Sequence, residues 1–275
     1  HLKAFGINRA RLTVIDSNNM ALICLTPLKI WLMAIRPKTL SAAVAPVMIG
    51  TALAYRDGVP HFPSALFALL AAIMIQIGTN LANDYFDYQK GADTSERIGP
   101  TRVTAAGLVS PWAMKRAFIL AFVLAGMLSL PLIIRGGWPI LIIAVLSILS
   151  GILYTAGPRP LGYLGLGEIF VLIFFGPVAV AGTYYVQVLE VNPRMLDPIL
   201  AGLGTGFLSM AILVVNNLRD IDSDRRAGKK TLAVHFGRDF AKGEYAFAVL
   251  AASLSPVALY GTTQHGLYSL VAGVV

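Results

Sequence analysis

Long apolar segments follow one another along most of the chain, and they restrict the fold to a bundle of membrane helices. A bilayer core about 30 Å thick needs about 20 apolar residues per helix. Segments that meet this criterion predict seven complete spans and the start of an eighth, at residues 28–55, 64–87, 114–134, 139–157, 166–188, 196–221, 244–261 and from 267 onward. Hydrophobic residues make up 56% of the chain and charged residues 13%, which excludes an ordinary soluble surface. The sequence therefore predicts an all-α, multi-span transmembrane bundle around a central cavity.

The two ends of the chain depart from this regular pattern. Residues 1–27 mix charged residues with short apolar stretches, which predicts an amphipathic or disordered cytoplasmic leader before a transmembrane domain at 28–275. The chain begins at His1 rather than Met and has no charged residue from Tyr245 to Val275, so we expect that it is truncated at both ends. Cys24 is the only cysteine and the four histidines are scattered, so any metal should have oxygen ligands.

The distribution of Lys and Arg predicts the orientation in the membrane, because cytoplasmic loops retain positive charge. Of the 22 Lys and Arg residues, all but Arg56, Arg135 and Arg194 fall in the N-terminal segment or in the connections that would share its side. We therefore expect the N-terminus and the connections at 88–113 and 222–243 on the cytoplasmic side, beside a cavity open to the cytoplasm. Nucleic-acid binding is excluded, because the basic residues lie between apolar segments rather than on one solvated face.

Clusters of Asp and Asn residues end the second and the sixth predicted helices. The first cluster contains Asn80, Asn83, Asp84 and Asp87, and the second contains Asn216, Asn217, Asp220 and Asp224. Positions three and four residues apart share one face of a helix, so each cluster forms a stripe of oxygen ligands. A carboxylate at the centre of a membrane helix costs about 2.5–3.5 kcal/mol, and Mg²⁺ is a dication that would offset this cost. Two such sites on one side of the membrane would hold one diphosphate between them.

Basic residues flank both clusters and predict an anion site, since Arg and Lys are the usual ligands of phosphate. They are Lys90, Arg97 and Arg102 after the first cluster, and Arg219, Arg225, Arg226, Lys229 and Lys230 around the second. Simpler interpretations remain open for each residue alone. Asp and Asn often end helices at the membrane interface, and any single basic residue is explained by the positive charge of cytoplasmic loops.

The two clusters resemble the motifs of a known family. The N-D-x-x-D pattern at 83–87 and the D-x-x-x-D pattern at 220–224 are similar to those of the UbiA-type intramembrane prenyltransferases, and the similarity extends from about Leu28 to the end of the chain. The stretches at 80–93, 97–102, 216–225 and 228–232 are most similar to the branch that prenylates 1,4-dihydroxy-2-naphthoate in menaquinone biosynthesis. A third aspartate of the general motif is replaced by Gly91, with Asp93 two positions later, a shift that this branch shares.

The resemblance implies a bundle of nine membrane helices in the cell (inner) membrane, with a Mg²⁺-dependent active site facing the cytoplasm. The enzyme would transfer a polyprenyl group from a polyprenyl diphosphate to the ring carbon that bears the carboxylate of dihydroxynaphthoate, with loss of carbon dioxide and diphosphate. Asp84 and Asp87 would hold one Mg²⁺, and Asp220 and Asp224 another. The expected substrate-binding residues are Asn80, Asn83, Lys90, Arg97, Arg102, Tyr154, Asn216, Asn217, Lys229 and Lys230. The ring of Tyr154 would stabilise the allylic cation.

Other functions compatible with the same residues lead to different expectations. The acceptor could be another aromatic compound, such as 4-hydroxybenzoate or homogentisate, or a tetrapyrrole. A secondary transporter also has many spans with buried charges, but its sites lie near the bilayer midplane on broken helices. A binding or assembly protein would show no dependence on metal.

Overall fold

Helices provide nearly all of the regular structure in the computed structural model of the chain, which describes residues 13–15, 22–24, 26–92, 99–191 and 193–263. The helices are α1 (Pro27–Ile35), α2 (Pro37–Arg56), α3 (Phe62–Gln89), α4 (Pro111–Gly136), α5 (Trp138–Leu153), α6 (Gly167–Phe174), α7 (Pro177–Val188), α8 (Leu196–Arg219), α9 (Ile221–Arg226), α10 (Leu232–Phe236) and α11 (Arg238–Thr263). Short 3₁₀ turns lie at Leu161–Tyr163 and Pro193–Met195. Within the expected leader, the strands β1 (Thr13–Ile15) and β2 (Leu22–Cys24) pair antiparallel, which the sequence did not predict.

The predicted all-α membrane bundle is confirmed. Within the described ranges, six helical segments are long and apolar enough to cross a membrane: α2, α3, α4, α6 together with α7, α8, and α11 as far as Tyr260. α5 is apolar but shorter, with 16 residues. Each of the seven complete predicted spans therefore coincides with a helix or a pair of helices, and the eighth, from residue 267, lies outside the described residues.

The prediction of one continuous helix at 28–55 is wrong, because the chain breaks at Arg36. Arg36 adopts a left-handed backbone conformation with φ of 56° between α1 and α2. Pro37 disfavours a right-handed helical conformation in the residue before it, and it is well suited to the first position of a new helix. The side chain of Asn80 fixes this junction by donating to the Ile35 carbonyl oxygen at 2.8 Å and to Thr39 Oγ1 at 2.9 Å.

The prediction of one continuous helix at 166–188 is wrong as well, because α6 ends at Phe174 and α7 begins at Pro177. Pro177 disfavours a helical conformation in the residue before it, and α8 approaches the chain closely at that residue, Gly176. A Cβ atom placed on Gly176 would lie 2.7 Å from the carbonyl oxygen of Gly202, so any larger residue would separate these helices. Small residues commonly allow membrane helices to approach each other in this way.

The long helices pack side by side along much of their length. α3 packs along α4, α8 packs along α11, and α2 contacts both α7 and α8. Arg56, at the end of α2, forms a 2.8 Å salt bridge with Asp197 in the first turn of α8, where Asp197 is buried. This contact fixes one end of the bundle, and the clusters that end α3 and α8 lie at the other end.

Candidate active site

An apolar chamber with a volume of about 300 Å³ lies between the helices α2 to α8. Much of its wall consists of small and aliphatic residues, including Ala43, Val47 and Ala72. Polar side chains line it where α3 and α8 approach their C-terminal ends, and these are Asn80, Asn83 and Asn216, with Arg36 and Tyr154 from neighbouring segments. A volume of this size is typical of small-molecule sites, which are mostly apolar with a few well-placed polar groups.

Asp84 fixes the connection between α3 and α4 onto the end of α3. Its carboxylate accepts the backbone N–H of Thr104 at 3.0 Å and that of Val103 at 3.2 Å, one on each oxygen. The side chain is 1% exposed. The two bonds satisfy buried backbone donors that would otherwise lack partners at this depth. Asp84 therefore determines the shape of the loop that carries Arg102.

Asp87 lies at the centre of the site, because groups from three other segments converge on its carboxylate. Its Oδ2 atom lies 3.2 Å from Arg102 Nη2 and 3.1 Å from Lys229 Nζ. Its Oδ1 atom accepts a hydrogen bond from the hydroxyl of Tyr163 at 3.0 Å. The side chain of Asp87 is 1% exposed, and a buried carboxylate requires compensation of this kind.

Lys229 joins the two acidic clusters. Its ammonium lies 3.6 Å from Asp224 Oδ1 as well as 3.1 Å from Asp87 Oδ2, although α3 and α9 belong to distant parts of the chain. Asp220, at the end of α8, is buried and accepts two hydrogen bonds from Arg219, each 2.8 Å long. The two clusters predicted from the sequence therefore meet in one site.

The connection between α3 and α4 also contacts Arg219, which binds Asp220 of the second cluster, at Gly99. A Cβ atom on Gly99 would lie 2.9 Å from Arg219 Nη2, so the guanidinium packs directly on the backbone of that connection. This contact complements the one between Lys229 and Asp87, and both long connections thus take part in the same site.

Tyr163 and Lys90 complete the charged part of the site. Lys90 Nζ lies 4.5 Å from the centre of the Tyr163 ring, and Lys229 Nζ lies 5.0 Å from it. Lys90 also donates to the carbonyl oxygens of Thr155 at 2.7 Å and Gly157 at 3.3 Å. Burial lowers the pKa of the Lys90 ammonium, with Asp87 acting to raise it and Lys229 to lower it further.

The other predicted residues occupy different positions around this centre. Asn216 and Asn83 line the chamber, whereas Asn217 donates to Glu168 Oε1 at 2.8 Å. Tyr154 also lines the chamber, and the side chain of Lys230 is exposed while its backbone N–H donates to the Tyr163 carbonyl oxygen at 2.9 Å. Arg97 and Asp93 lie outside the described residues.

Sequence reasoning missed three residues that the structure places near the site. Tyr163 contacts Asp87 of the first cluster and the ammonium of Lys229, Glu168 binds Asn217, and Arg36 lines the chamber. Arg36 could have been found, since a basic residue immediately before the proline of a membrane helix marks a helix start near the interface. Tyr163 and Glu168 carry no comparable signal, because their importance arises from contacts between distant segments.

The oxygen ligands of the site are suited to a hard dication, although the described residues contain no group of three His, Cys, Asp or Glu side chains arranged to hold a metal. The carboxylates of Asp87 and Asp224 both lie beside the Lys229 ammonium, and Asp87 also pairs with Arg102. Asn83 Oδ1 is buried, and it has no hydrogen-bond partner within the described ranges. Carboxylate and amide oxygens of this kind are the ligands that Mg²⁺ prefers.

The fold and the site define a membrane-embedded helical bundle with a cluster of charged side chains at the end of an apolar chamber. The sequence from residue 43 to 275 matches the UbiA prenyltransferase family. Relatives named 1,4-dihydroxy-2-naphthoate octaprenyltransferase include one from Escherichia coli, 44% identical over 247 residues that cover 86% of this chain and 78% of the relative. Another, from Mycobacterium tuberculosis, is 41% identical over 207 residues, covering 75% of this chain and 70% of the relative.

Solved structures share the fold. A UbiA homologue from Archaeoglobus fulgidus, solved with DMAPP and Mg²⁺, superimposes with a TM-score of 0.60 at 15% identity, covering 89% of this chain and 82% of that chain. A digeranylgeranylglyceryl phosphate synthase superimposes with a TM-score of 0.61 at 18% identity, covering 90% and 82%. The chain therefore belongs to the UbiA prenyltransferase family and is an integral membrane prenyltransferase.

Proposed function

We propose that the chain transfers a polyprenyl group from a polyprenyl diphosphate to 1,4-dihydroxy-2-naphthoate in menaquinone biosynthesis, with Mg²⁺ as cofactor. The convergence of Asp87 and Asp224 on Lys229 carries this proposal, because it provides one site at which a diphosphate would meet groups from both clusters. Relatives that carry the naphthoate octaprenyltransferase name are 33–44% identical to the chain over most of its length, which favours this acceptor.

The metal part of the proposal follows from the chemistry of the ligands and from the fold. The UbiA homologue of the same fold is solved with Mg²⁺ and an allylic diphosphate. In this chain, Asp87 and Asp224 with Asn83 offer oxygens to a cation, and we assign them as ligands. Asp84 and Asp220 would join them if their bonds to the Thr104 backbone and to Arg219 rearranged. Bound Mg²⁺ would neutralise the diphosphate and make it a better leaving group.

The basic residues would bind the diphosphate while the chamber receives the prenyl chain. Arg102 and Lys229 pair with Asp87, and Lys90 lies against the ring of Tyr163, which binds the same carboxylate. An anion beside these cations would gain charge-assisted hydrogen bonds that strengthen as the carbon–oxygen bond breaks. Asn80, Asn83 and Asn216, which line the chamber, would orient the substrates. Asn217, Lys230 and Arg97 remain predicted substrate-binding residues. The apolar wall excludes water, which would otherwise quench the allylic cation.

Carbon–carbon bond formation would then occur at the naphthoate carbon that bears the carboxylate. The ring supplies the electron pair for the new bond, and loss of carbon dioxide returns the electron pair of the broken bond to the ring. Tyr154, which lines the chamber, would place its ring against the cation. The guanidinium of Arg36, also on the chamber wall, offers a cation to the carboxylate of the acceptor before decarboxylation.

The proposal includes the orientation of the helical bundle in the membrane. Arg56 and Arg135, which end α2 and α4, lie at the end of the bundle opposite the acidic clusters, where Arg56 binds Asp197. By the excess of positive charge on cytoplasmic loops, the active site would face the cytoplasm from the inner membrane.

A panel of acceptors tests this function. Membranes containing the protein would be incubated with radiolabelled polyprenyl diphosphate and dihydroxynaphthoate, 4-hydroxybenzoate, homogentisate or a chlorophyllide, each with Mg²⁺ or with a chelator. We expect labelled product and released carbon dioxide only in the reaction that contains both dihydroxynaphthoate and Mg²⁺. Preference for another acceptor would refute the substrate assignment, and unchanged transfer in the chelator would refute the role of the metal.

A further inference from the structure

Tyr163 lies where the two acidic clusters and two lysines meet, yet it belongs to neither cluster. It ends the short 3₁₀ turn Leu161–Tyr163 after α5, and its carbonyl oxygen accepts the backbone N–H of Lys230 at 2.9 Å. The turn is held close to the second long connection, because a Cβ atom on Gly165 would lie 3.0 Å from the Lys230 carbonyl oxygen. The position of the Tyr163 side chain is therefore fixed by backbone contacts.

The hydroxyl of Tyr163 binds one oxygen of the Asp87 carboxylate. It donates to Oδ1 at 3.0 Å, while Arg102 and Lys229 both approach Oδ2. The two oxygens of this buried carboxylate thus have separate partners, so that Oδ2 faces cations and Oδ1 is held by a neutral donor. A hydrogen bond to a charged acceptor restrains the carboxylate strongly in a buried site.

The ring of Tyr163 contacts the other components of the site. The ammonium groups of Lys90 and Lys229 lie 4.5 Å and 5.0 Å from its centre. Two like charges near each other repel, and the negative face of an aromatic ring together with the Asp87 carboxylate offsets this repulsion. The ring therefore keeps two cations close enough to act on one anion.

We propose that Tyr163 is a positioning residue of the prenyl transfer reaction, with separate roles for its two parts. The hydroxyl holds Asp87 so that Oδ2 is presented to a cation, and the ring holds Lys90 and Lys229 as a pair that binds the diphosphate. This proposal rests on the proposed function. It assigns Tyr163 no contact with the reacting carbon atoms.

The two roles are separated by Tyr163→Phe, which removes the hydroxyl and keeps the ring, and Tyr163→Leu, which removes both. Tyr185→Phe is the matched control, because its hydroxyl donates to the Gly136 carbonyl oxygen at 3.2 Å near the opposite end of the bundle. Each purified protein in lipid nanodiscs would be titrated with Mg²⁺ in the presence of inorganic pyrophosphate, and thermal stabilisation would report binding. Steady-state kinetics would follow with a polyprenyl diphosphate and dihydroxynaphthoate.

We expect Tyr163→Phe to raise the Mg²⁺ concentration for half-maximal stabilisation about tenfold, with kcat recovered at saturating Mg²⁺. Tyr163→Leu should in addition raise the KM for the prenyl diphosphate about tenfold, and Mg²⁺ should not restore it. Tyr185→Phe should match the wild-type protein in both respects.

A wild-type Mg²⁺ response in Tyr163→Phe, or an equal shift in the Tyr185→Phe control, would overturn the inference while leaving the proposed function intact. Stabilisation of the wild-type protein by Mg²⁺ and pyrophosphate without transfer to dihydroxynaphthoate would contradict the proposed acceptor. The Mg²⁺ concentrations for half-maximal stabilisation of the Tyr163 variants would then decide the positioning role by themselves. Absence of any stabilisation in the wild-type protein would overturn both proposals.

Discussion

Replacement of Lys229 by Met removes the ammonium that lies between Asp87 and Asp224 and leaves the aliphatic part of the side chain in place. Lys229 is 3.1 Å from Asp87 Oδ2 and 3.6 Å from Asp224 Oδ1, and its side chain is 15% exposed. Without the ammonium, carboxylates from both clusters face each other with less positive charge between them. We therefore expect the metal-free protein to lose stability.

The size of this loss follows from the contacts that disappear. A hydrogen bond between charged partners contributes about 1.5–3 kcal/mol, and the 3.6 Å contact adds less because it is longer. Asp87 keeps its contacts with Arg102 and Tyr163, so complete loss of compensation is not expected. A net destabilisation of about 2 kcal/mol corresponds to a decrease in Tm of about 5 °C for a domain of this size.

The response to Mg²⁺ distinguishes this explanation from a general loss of packing. A dication bound by Asp87 and Asp224 would take over the role of the ammonium, so Mg²⁺ should stabilise Lys229→Met more than the wild-type protein and narrow the difference in Tm. Lys242→Met is the control, because Lys242 pairs with Asp239 on the surface, where both side chains are mostly exposed, and should leave Tm unchanged. Equal stabilisation of Lys229→Met and wild type by Mg²⁺ would refute the reasoning.

Two further substitutions test the first cluster. Asp84→Asn keeps an acceptor for one of the Val103 and Thr104 amides but turns an NH₂ group toward the other, so we expect a destabilisation of about 2 kcal/mol. Faster hydrogen exchange of both amides would show this, and unchanged exchange would contradict the role of Asp84 in the loop. For Lys90, burial lowers the pKa of the ammonium, so its charge is lost at a lower pH than that of an ordinary lysine, and kcat/KM for the prenyl diphosphate should fall on the alkaline side. Lys90→Arg should extend activity to higher pH, and an unchanged pH profile would exclude Lys90 as the group responsible.

Hydrophobic segments and acidic helix ends could be predicted from the sequence because both depend on local patterns. The length of an apolar segment sets whether it spans a bilayer, and the spacing of Asp and Asn on α3 and α8 determines the face that they share. Positive charge on alternate connections placed the clusters at one end of the bundle, and the shared contact of Asp87 and Asp224 with Lys229 agrees with that prediction.

A proline marks the interruption in each of the two broken spans, but a proline in an apolar segment does not by itself show whether the helix ends there. Pro37 and Pro177 both follow the break and begin a new helix. A proline within an apolar segment is also compatible with a continuous membrane helix, as Pro46 within α2 demonstrates. At the second break Gly202 also approaches Gly176 closely, and this contact exists only after the helices have packed.

The partners of the carboxylates could not be predicted, because they belong to segments that come together through loop conformation. Asp84 binds the backbone of Val103 and Thr104 rather than a side chain, so no residue type marks its partner in the sequence. Tyr163 and Asp87 are separated by 76 positions, and a tyrosine near a membrane interface is more often an anchor than part of a site. Long-range contacts of this kind depend on the complete fold.

The most direct measurement is a structure of the protein in lipid with Mn²⁺ in place of Mg²⁺ and an unreactive prenyl thiodiphosphate, with the metal located by anomalous scattering. We predict metal in contact with carboxylate oxygens of both Asp87 and Asp224, the thiodiphosphate beside Arg102 and Lys229, and the prenyl chain entering the chamber past Asn83. Metal and thiodiphosphate bound away from both carboxylates, or at the opposite end of the bundle beside Arg56 and Asp197, would contradict the account.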